Sequence, residues 1–289
     1  MNRTLRRIIA LLLMACCLTG ASGAAAEDAE TFNLLLIGLD AYDAEETGRS
    51  DAMMLAQITP STGDVKLISF LRDLYVSIPG HGRTRLNAAY VYGGAELLKR
   101  TLEENFHVRI DRTAAVNFSE MANMIDQIGG IEVEITKEEL RELNDNLVRY
   151  NQHMGIPEMD GLLEESGLVR LSGVQALSFS RIRSLDSDFG RTGRQQQVLL
   201  GILRQLTTLD LFRLMGLAIT NLGKLDTDLT LGDIRALAPL VTNGSNLRLR
   251  TAHVPFDGAY RDALINNMWV LEADLPVNTR LIQEFLQTP

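Results

Sequence analysis

Cysteine is confined to Cys16 and Cys17, and the 272 positions that follow them in this 289-residue chain contain none. A disulfide framework, a cysteine zinc cluster and a thiol nucleophile are therefore excluded from the body of the protein. Histidine is nearly as scarce: His81, His107, His153 and His253 show no HExxH or comparable ligand spacing, which argues against a histidine-built metal site. Positive charge is in deficit, with 28 Lys and Arg against 37 Asp and Glu. Non-specific affinity for a phosphate backbone needs the opposite balance, so nucleic acid is not an expected partner. Uncharged apolar runs of membrane-spanning length are missing from the body, and no repeat or low-complexity tract interrupts it.

The first residues form an address. Arg3, Arg6 and Arg7 precede an apolar run from Ile8 to Leu18, and small residues follow from Gly20 to Ala26. That is the pattern of an export signal, with charged head, short apolar stretch and small-residue exit. The strongly apolar part is short for a span, which needs roughly 20 residues. Residues 1–26 are thus expected to be a cleaved signal peptide or an uncleaved signal anchor, with lipidation at Cys16 as a third reading. The protein is expected outside the cytoplasm, associated with the cell membrane and facing the wall, or secreted if the segment is cleaved. Removal of 1–26 takes away three arginines and no acids, leaving 25 basic residues against 37 acidic ones. A body this acidic repels anionic polymers on average, so an anionic ligand needs a local cluster of positive charge.

Apolar periodicity predicts an α/β fold. Phe32–Gly38 reads as a buried strand, Met53–Thr59 and Val65–Phe70 as two more, and Leu74–Ile78 as a short alternating one ending at Pro79-Gly80. A helix is expected over Gly94–Phe106, a strand over Ala114–Asn117, a helix capped by Ser119, and a strand over Ile131–Ile135. Residues 136–170 look polar and irregular apart from one helix, like an insertion or lid. Ser172 should cap a short helix, and a long one should run from about Gly190 to Leu206. Three more helical patterns and one strand, Leu247–Val254, complete the chain. Alternating strands and helices imply a mixed central sheet with helices on both faces, in a single main domain. Residues 207–289 are either its extension or a small subdomain.

Two regions place charge where periodicity would not. Asp40 ends the first strand, and Arg49 and Asp51, two apart, lead into the second. Two carboxylates at adjacent strand mouths suit Mg²⁺, which takes few carboxylates and completes its shell with phosphate oxygens. A salt bridge from Arg49 to one of them is the alternative. The second region holds Arg181 and Arg183, on one face if extended, and then Arg191, Arg194 and Gln195 at i, i+3 and i+4 of the long helix. Guanidinium forks bind phosphate oxygens in pairs, and the free N–H groups of a helix start add to the preference. A solvated basic helix face is the alternative. Arg72-Asp73 sits between apolar residues, as one more phosphate ligand with its organiser or as a strand-end ion pair. Asn87 and Tyr90 could contact a ligand or serve the helix after them.

These residues lie in motifs that resemble the LytR–CpsA–Psr family of exported cell-wall glycopolymer transferases. NLLLIGLD, GRSDAMM, FLRDLYVSIPG, LNAAYVYGG, MIDQIGGIEVEI, LSGVQALSFSRIR and SDFGRTGRQQQ follow one another over residues 32–206 in the family's order. Leu71 replaces a usual proline, Ser187 a common glycine, and Gly193 a frequent acid, and none of these removes a charged residue. The resemblance implies a catalytic domain over 32–206 that uses Mg²⁺. It moves a teichoic-acid-like or capsule-like glycopolymer from an undecaprenyl-pyrophosphate carrier to a peptidoglycan hydroxyl, forming a phosphodiester. By motif, Asp40 and Asp51 match metal-associated aspartates, and Arg49, Arg72, Arg181, Arg183, Arg191, Arg194 and Gln195 match pyrophosphate-binding positions. Asp51, Arg72 and Asp73 are the catalytic candidates, and the carrier's tail is expected between the sheet and the helix of 119–128. A carrier-lipid sensor or scaffold without turnover, and a lipid pyrophosphatase, are the alternatives.

Overall fold

The structure, a computed structural model, describes residues 31–40, 48–183, 185, 188–221, 226–242 and 247–288. The export segment at 1–26 lies outside them. Residues 31–289 form one compact unit. Its centre is a six-stranded sheet in the order β10-β3-β2-β1-β6-β9. The strands are β1 (Phe32–Leu39), β2 (Ser50–Thr59), β3 (Asp64–Phe70), β6 (Arg112–Val116), β9 (Asp226–Thr227) and β10 (Arg248–Val254). β1 pairs parallel with β6 and antiparallel with β2, β3 is antiparallel to β2, and β10 is parallel to β3. The carboxyl ends of β1, β3, β6 and β10 therefore converge on one end of the sheet, where β2 begins. In open α/β sheets that end is where ligands bind.

Period-two alternation sorts the strand side chains between two cores. Leu35, Ile37, Met53, Leu55, Ile68 and Phe70 face α1 (Ala88–Phe106) and α8 (Leu275–Gln287), meeting Leu98, Leu102, Phe106 and Ile282. Ala56, Ile58, Val65 and Leu67 face α5 (Asp188–Thr207) and α7 (Leu231–Thr242), meeting Leu199, Leu203, Leu237 and Leu240. Helices thus cover both faces, as the alternating pattern implies. A third core joins α2 (Phe118–Gln127), α3 (Lys137–Met154), α4 (Gly173–Ser180) and α5 to the two-stranded β7 (Ile131–Ile135) and β8 (Gly167–Leu171).

Several boundaries differ from the sequence reading. α2 is capped by Asn117 rather than Ser119, in a capping box with Glu120 that satisfies both free donors. α5 opens at Asp188 rather than after Gly190, which puts Arg191 in its first turn. α1 starts six residues early and breaks at Gly93-Gly94, where Gly94 has φ 62°. The supposedly irregular stretch 136–170 contains β8, missed because its outward Leu168 and Arg170 obscure a five-residue alternation. The hairpins β4 (Tyr75–Ile78) with β5 (Gly82–Arg85), and β11 (Tyr260–Ile265) with β12 (Met268–Ala273), were only partly foreseen. Helix α6 (Leu211–Asn221) completes the elements described.

Candidate active site at the carboxyl end of the sheet

The β1–β2 register shifts at the mouth of the sheet: Gly38 faces Ala52 and Leu39 faces Ser50, so Asp51 is an extra residue on β2. A bulge re-aims its side chain out of the pleat, and Asp51 points into a cavity of about 210 Å³. Most of the cavity wall is apolar. Leu36 of β1, Met54 of β2, Val116 of β6, Met121 and Met124 of α2, and Val198 and Ile202 of α5 contribute to it. Its polar residues include Asp51, Arg181, Arg183, Arg191 and Gln195. Among the described wall residues a single carboxylate, Asp51, stands with three guanidinium groups, of which Arg183 and Arg191 approach it. The cavity lies between the sheet and the helix of 118–127, the place expected for a hydrocarbon tail.

Asp51 organises the arginines. Its side chain is 13% exposed, and its Oδ1 accepts from Arg72 Nη1 at 3.0 Å while its Oδ2 accepts from Arg183 Nη2 at 2.8 Å. Arg191 Nη1 lies 4.0 Å from the same Oδ2. Arg191 is 4% exposed, and its Nη2 pairs with Asp188 at 2.7 Å. Its Nε and Nη1 have no hydrogen-bond partner in the structure. Burial first, and then the positive charges of Arg72 and Arg183, lower the Arg191 pKa. A buried guanidinium with unused donors beside like charges costs several kcal/mol of desolvation, which its pair with the half-exposed Asp188 offsets only in part. Arg181 lies over the Phe118 ring at 4.3 Å and contacts Asp40 at 3.4 Å.

The remaining predicted residues lie around this group. Asp73 holds Arg72 Nε at 3.4 Å and Arg85 Nε at 3.1 Å and is outside the cavity wall, where it positions Arg72. Gln195 is in the wall. Arg194 is not: it pairs with Glu139 of α3 at 3.4 Å and donates to the Ile182 carbonyl at 2.9 Å. The reason is helical phase. Arg191, Gln195, Val198, Leu199 and Ile202 form one stripe, and Arg194 sits roughly 90° round from its centre. Arg49 is exposed, and only its backbone carbonyl, accepting from Asp40 N–H at 2.9 Å, is engaged in a described bond. Asn87 and Tyr90 are outside the wall, Tyr90 reaching Asp226 at 3.4 Å. Asp188, which also lies 3.8 Å from Arg72, was missed as an organiser, although its i, i+3 spacing to Arg191 signalled it.

Among the described residues no group of three or more His, Cys, Asp and Glu gathers to form a metal cage. Two hard carboxylates, Asp40 and Asp51, stand at adjacent strand ends. This donor set fits Mg²⁺ only in the mode where phosphate oxygens and water complete the shell.

Fold and site together define an α/β protein whose sheet end carries an apolar cavity with an arginine-lined mouth. The LytR_cpsA_psr family model matches residues 18–284, and the chain belongs to that family. It is 34% identical over 215 residues to a polyisoprenyl-teichoic acid–peptidoglycan teichoic acid transferase TagU of Enterococcus faecalis, a match spanning 72% of this chain and 65% of that one. The TagU of Oceanobacillus iheyensis is 31% identical over 252 residues, 84% of this chain and 71% of its own. Among solved structures, TagT bound to LIIa-WTA superimposes with a TM-score of 0.70 at 24% identity, covering 92% of this chain and 95% of TagT. TagT with bound octaprenyl pyrophosphate lipid gives 0.65 at 21% identity, over 92% and 95%. Protein gbs0355 of Streptococcus agalactiae gives 0.73 at 22%, over 90% and 89%. These likenesses fix the fold.

Proposed function

We propose that the chain moves a glycopolymer from a polyisoprenyl pyrophosphate carrier, undecaprenyl pyrophosphate in the cell, to a peptidoglycan hydroxyl. The observation that carries this reading is the division of one cavity into an apolar body and an arginine mouth. An isoprenoid tail fits the first and a pyrophosphate the second, and the names of the TagU relatives and the lipid bound by TagT support the assignment. Arg72, Arg181, Arg183 and Arg191 bind the phosphates, with Gln195 beside them. The acceptor oxygen attacks the phosphorus that bears the glycopolymer, and the P–O bond to the carrier phosphate breaks. A phosphodiester forms, and polyisoprenyl monophosphate leaves, taking up the hydroxyl proton, while Asp51 holds Arg72 and Arg183 in place.

The negative charge that builds on the phosphoryl oxygens is met by guanidinium groups already in place, so catalysis is positioning and electrostatics. Asp40 and Asp51 would hold Mg²⁺, which supplies further neutralisation of the pyrophosphate when bound. The protein acts on the outer side of the cell membrane, where carrier and wall meet. Among the described residues no helix is long and apolar enough to cross that membrane.

The test supplies the chain with lipid-linked glycopolymer, peptidoglycan and Mg²⁺ and assays the covalent adduct. Adduct formation, its loss with EDTA, and a fall of about 100-fold or more in Arg183→Ala are expected. Undiminished transfer by Arg183→Ala would refute the phosphate clamp. Binding without product would identify a sensor or scaffold, and free phosphate-terminated polymer without adduct a pyrophosphatase.

A further inference from the structure

The β11–β12 hairpin turns on Asn266-Asn267, both with positive φ, as a two-residue hairpin turn requires. One of its faces carries the register pairs Tyr260–Ala273, Asp262–Leu271 and Leu264–Trp269. At its base this face is packed: Leu271 and Ala273 join the core, and the Tyr260 ring lies 5.6 Å from Phe189, which follows Asp188 in α5. At its tip it is open. Trp269 is 67% exposed and Leu264, directly opposite, 57%. A tryptophan and a leucine side by side in water form an apolar ledge, and the packing just described does not require it.

The ledge is joined to the active site by an unbroken polar row. From the cavity, Asp51 pairs with Arg72 at 3.0 Å, Arg72 with Asp73 at 3.4 Å, and Asp73 with Arg85 at 3.1 Å. The Arg85 Nε then donates to the Trp269 carbonyl at 3.0 Å. The Leu271 N–H donates to the Asp73 carbonyl at 2.9 Å, which fixes the hairpin to the same segment.

An exposed flat indole on a face that also carries Asp262 suits a pyranose ring, which has an apolar C–H face and a rim of hydroxyl groups. A lipid surface suits it poorly, because the exposed Asp262 shares the ledge's face. We propose that this ledge, Trp269 and Leu264 with Asp262 on the same face and Arg85 bonded to the Trp269 carbonyl, binds the saccharide of the acceptor glycan strand. The strand then lies with a hydroxyl directed at the cavity mouth. The proposal rests on the transferase reading above and specifies where its second substrate sits. Trp269 stacks on a sugar remote from the reacting atoms and is a positioning residue.

Trp269 is the chain's single tryptophan, so its emission reports on the ledge alone. Titration of the full chain with soluble, uncross-linked peptidoglycan strands, without donor, is expected to shift that emission saturably. Trp269→Ala should raise the KM for acceptor about tenfold or more while the KM for lipid-linked donor stays within about twofold, and Trp269→Phe should restore most of the loss. Leu264→Ser offers a second, milder disruption of the same face. An unchanged acceptor KM in both variants, or a rise in donor KM instead, overturns the assignment. An emission shift with phosphatidylglycerol vesicles and none with strands also overturns it, by making the ledge a membrane contact. Strand binding without transfer would leave the ledge standing and remove the transferase reading. Transfer indifferent to Trp269 would do the reverse.

Discussion

Arg191 separates the residues held for function from those held for stability. Its guanidinium is buried, lowered in pKa by that burial, and left with two nitrogens unbonded. Its replacement by an apolar side chain of similar length removes a desolvated charge that Arg72 and Arg183 repel, and the carboxylate it leaves, Asp188, is 39% exposed and can be solvated. Arg191→Met is therefore expected to keep or raise Tm while weakening polyisoprenyl pyrophosphate binding by about 10- to 100-fold, since charge-assisted hydrogen bonds contribute ~1.5–3 kcal/mol each. Thermal melts and titration of the same preparation check both halves. Asp51 offers the complementary case. It holds Arg72 and Arg183 in the place a phosphate would take. Asp51→Asn is expected to bind metal-free pyrophosphate lipid more tightly than the parent and to lose transfer, as calorimetry and the adduct assay would show.

Among the elements, the α2–α4 contact sets the width of the cavity. A Cβ on Gly173 would lie 2.0 Å from the Ala122 carbonyl oxygen, and the Gly173 N–H donates to Asp126 at 2.7 Å. Gly173→Ala must push the two helices apart, and a loss of about 1–3 kcal/mol in denaturant unfolding is expected. Arg194, the neighbour of Gln195, ties α5 to α3 and to the segment after α4. Breaking its buried pair by Arg194→Ala should cost about 3 kcal/mol, with the KM for donor little changed, the opposite signature to Arg191. Sequence spacing put both arginines near one helix face, and the full stripe from Arg191 to Ile202 shows that Arg194 lies on its flank, where α3 packs. Strands β1, β2 and β3 were legible because they are buried runs between breakers. Strands β8, β11 and β12 were not, because exposed Leu168, Leu264 and Trp269 mask their alternation, and only β11 and β12 have a turn signal, Asn266-Asn267.

Over the whole molecule, the acidic surplus and the anion site coexist because the arginines are concentrated where four parallel-running strands end. The motifs single out Asp40, Arg49, Asp51, Arg72, Asp73, Arg181, Arg183, Arg191, Arg194 and Gln195 from the chain alone, and the fold gathers Asp51, Arg72, Arg181, Arg183, Arg191 and Gln195 at one end of the sheet. Their convergence required the β1–β2 bulge and the crossover that brings β6 beside β1, which no local pattern encodes. The central claim is that phosphate and isoprenoid share one cavity in a fixed orientation. A crystal structure of the chain with a polyisoprenyl pyrophosphate tests it directly. The account predicts phosphate oxygens within hydrogen-bonding distance of Arg181, Arg183 and Arg191, with the tail between Met54, Met121, Val198 and Ile202. Phosphates bound away from those arginines, or a tail lying outside this cavity, would contradict it.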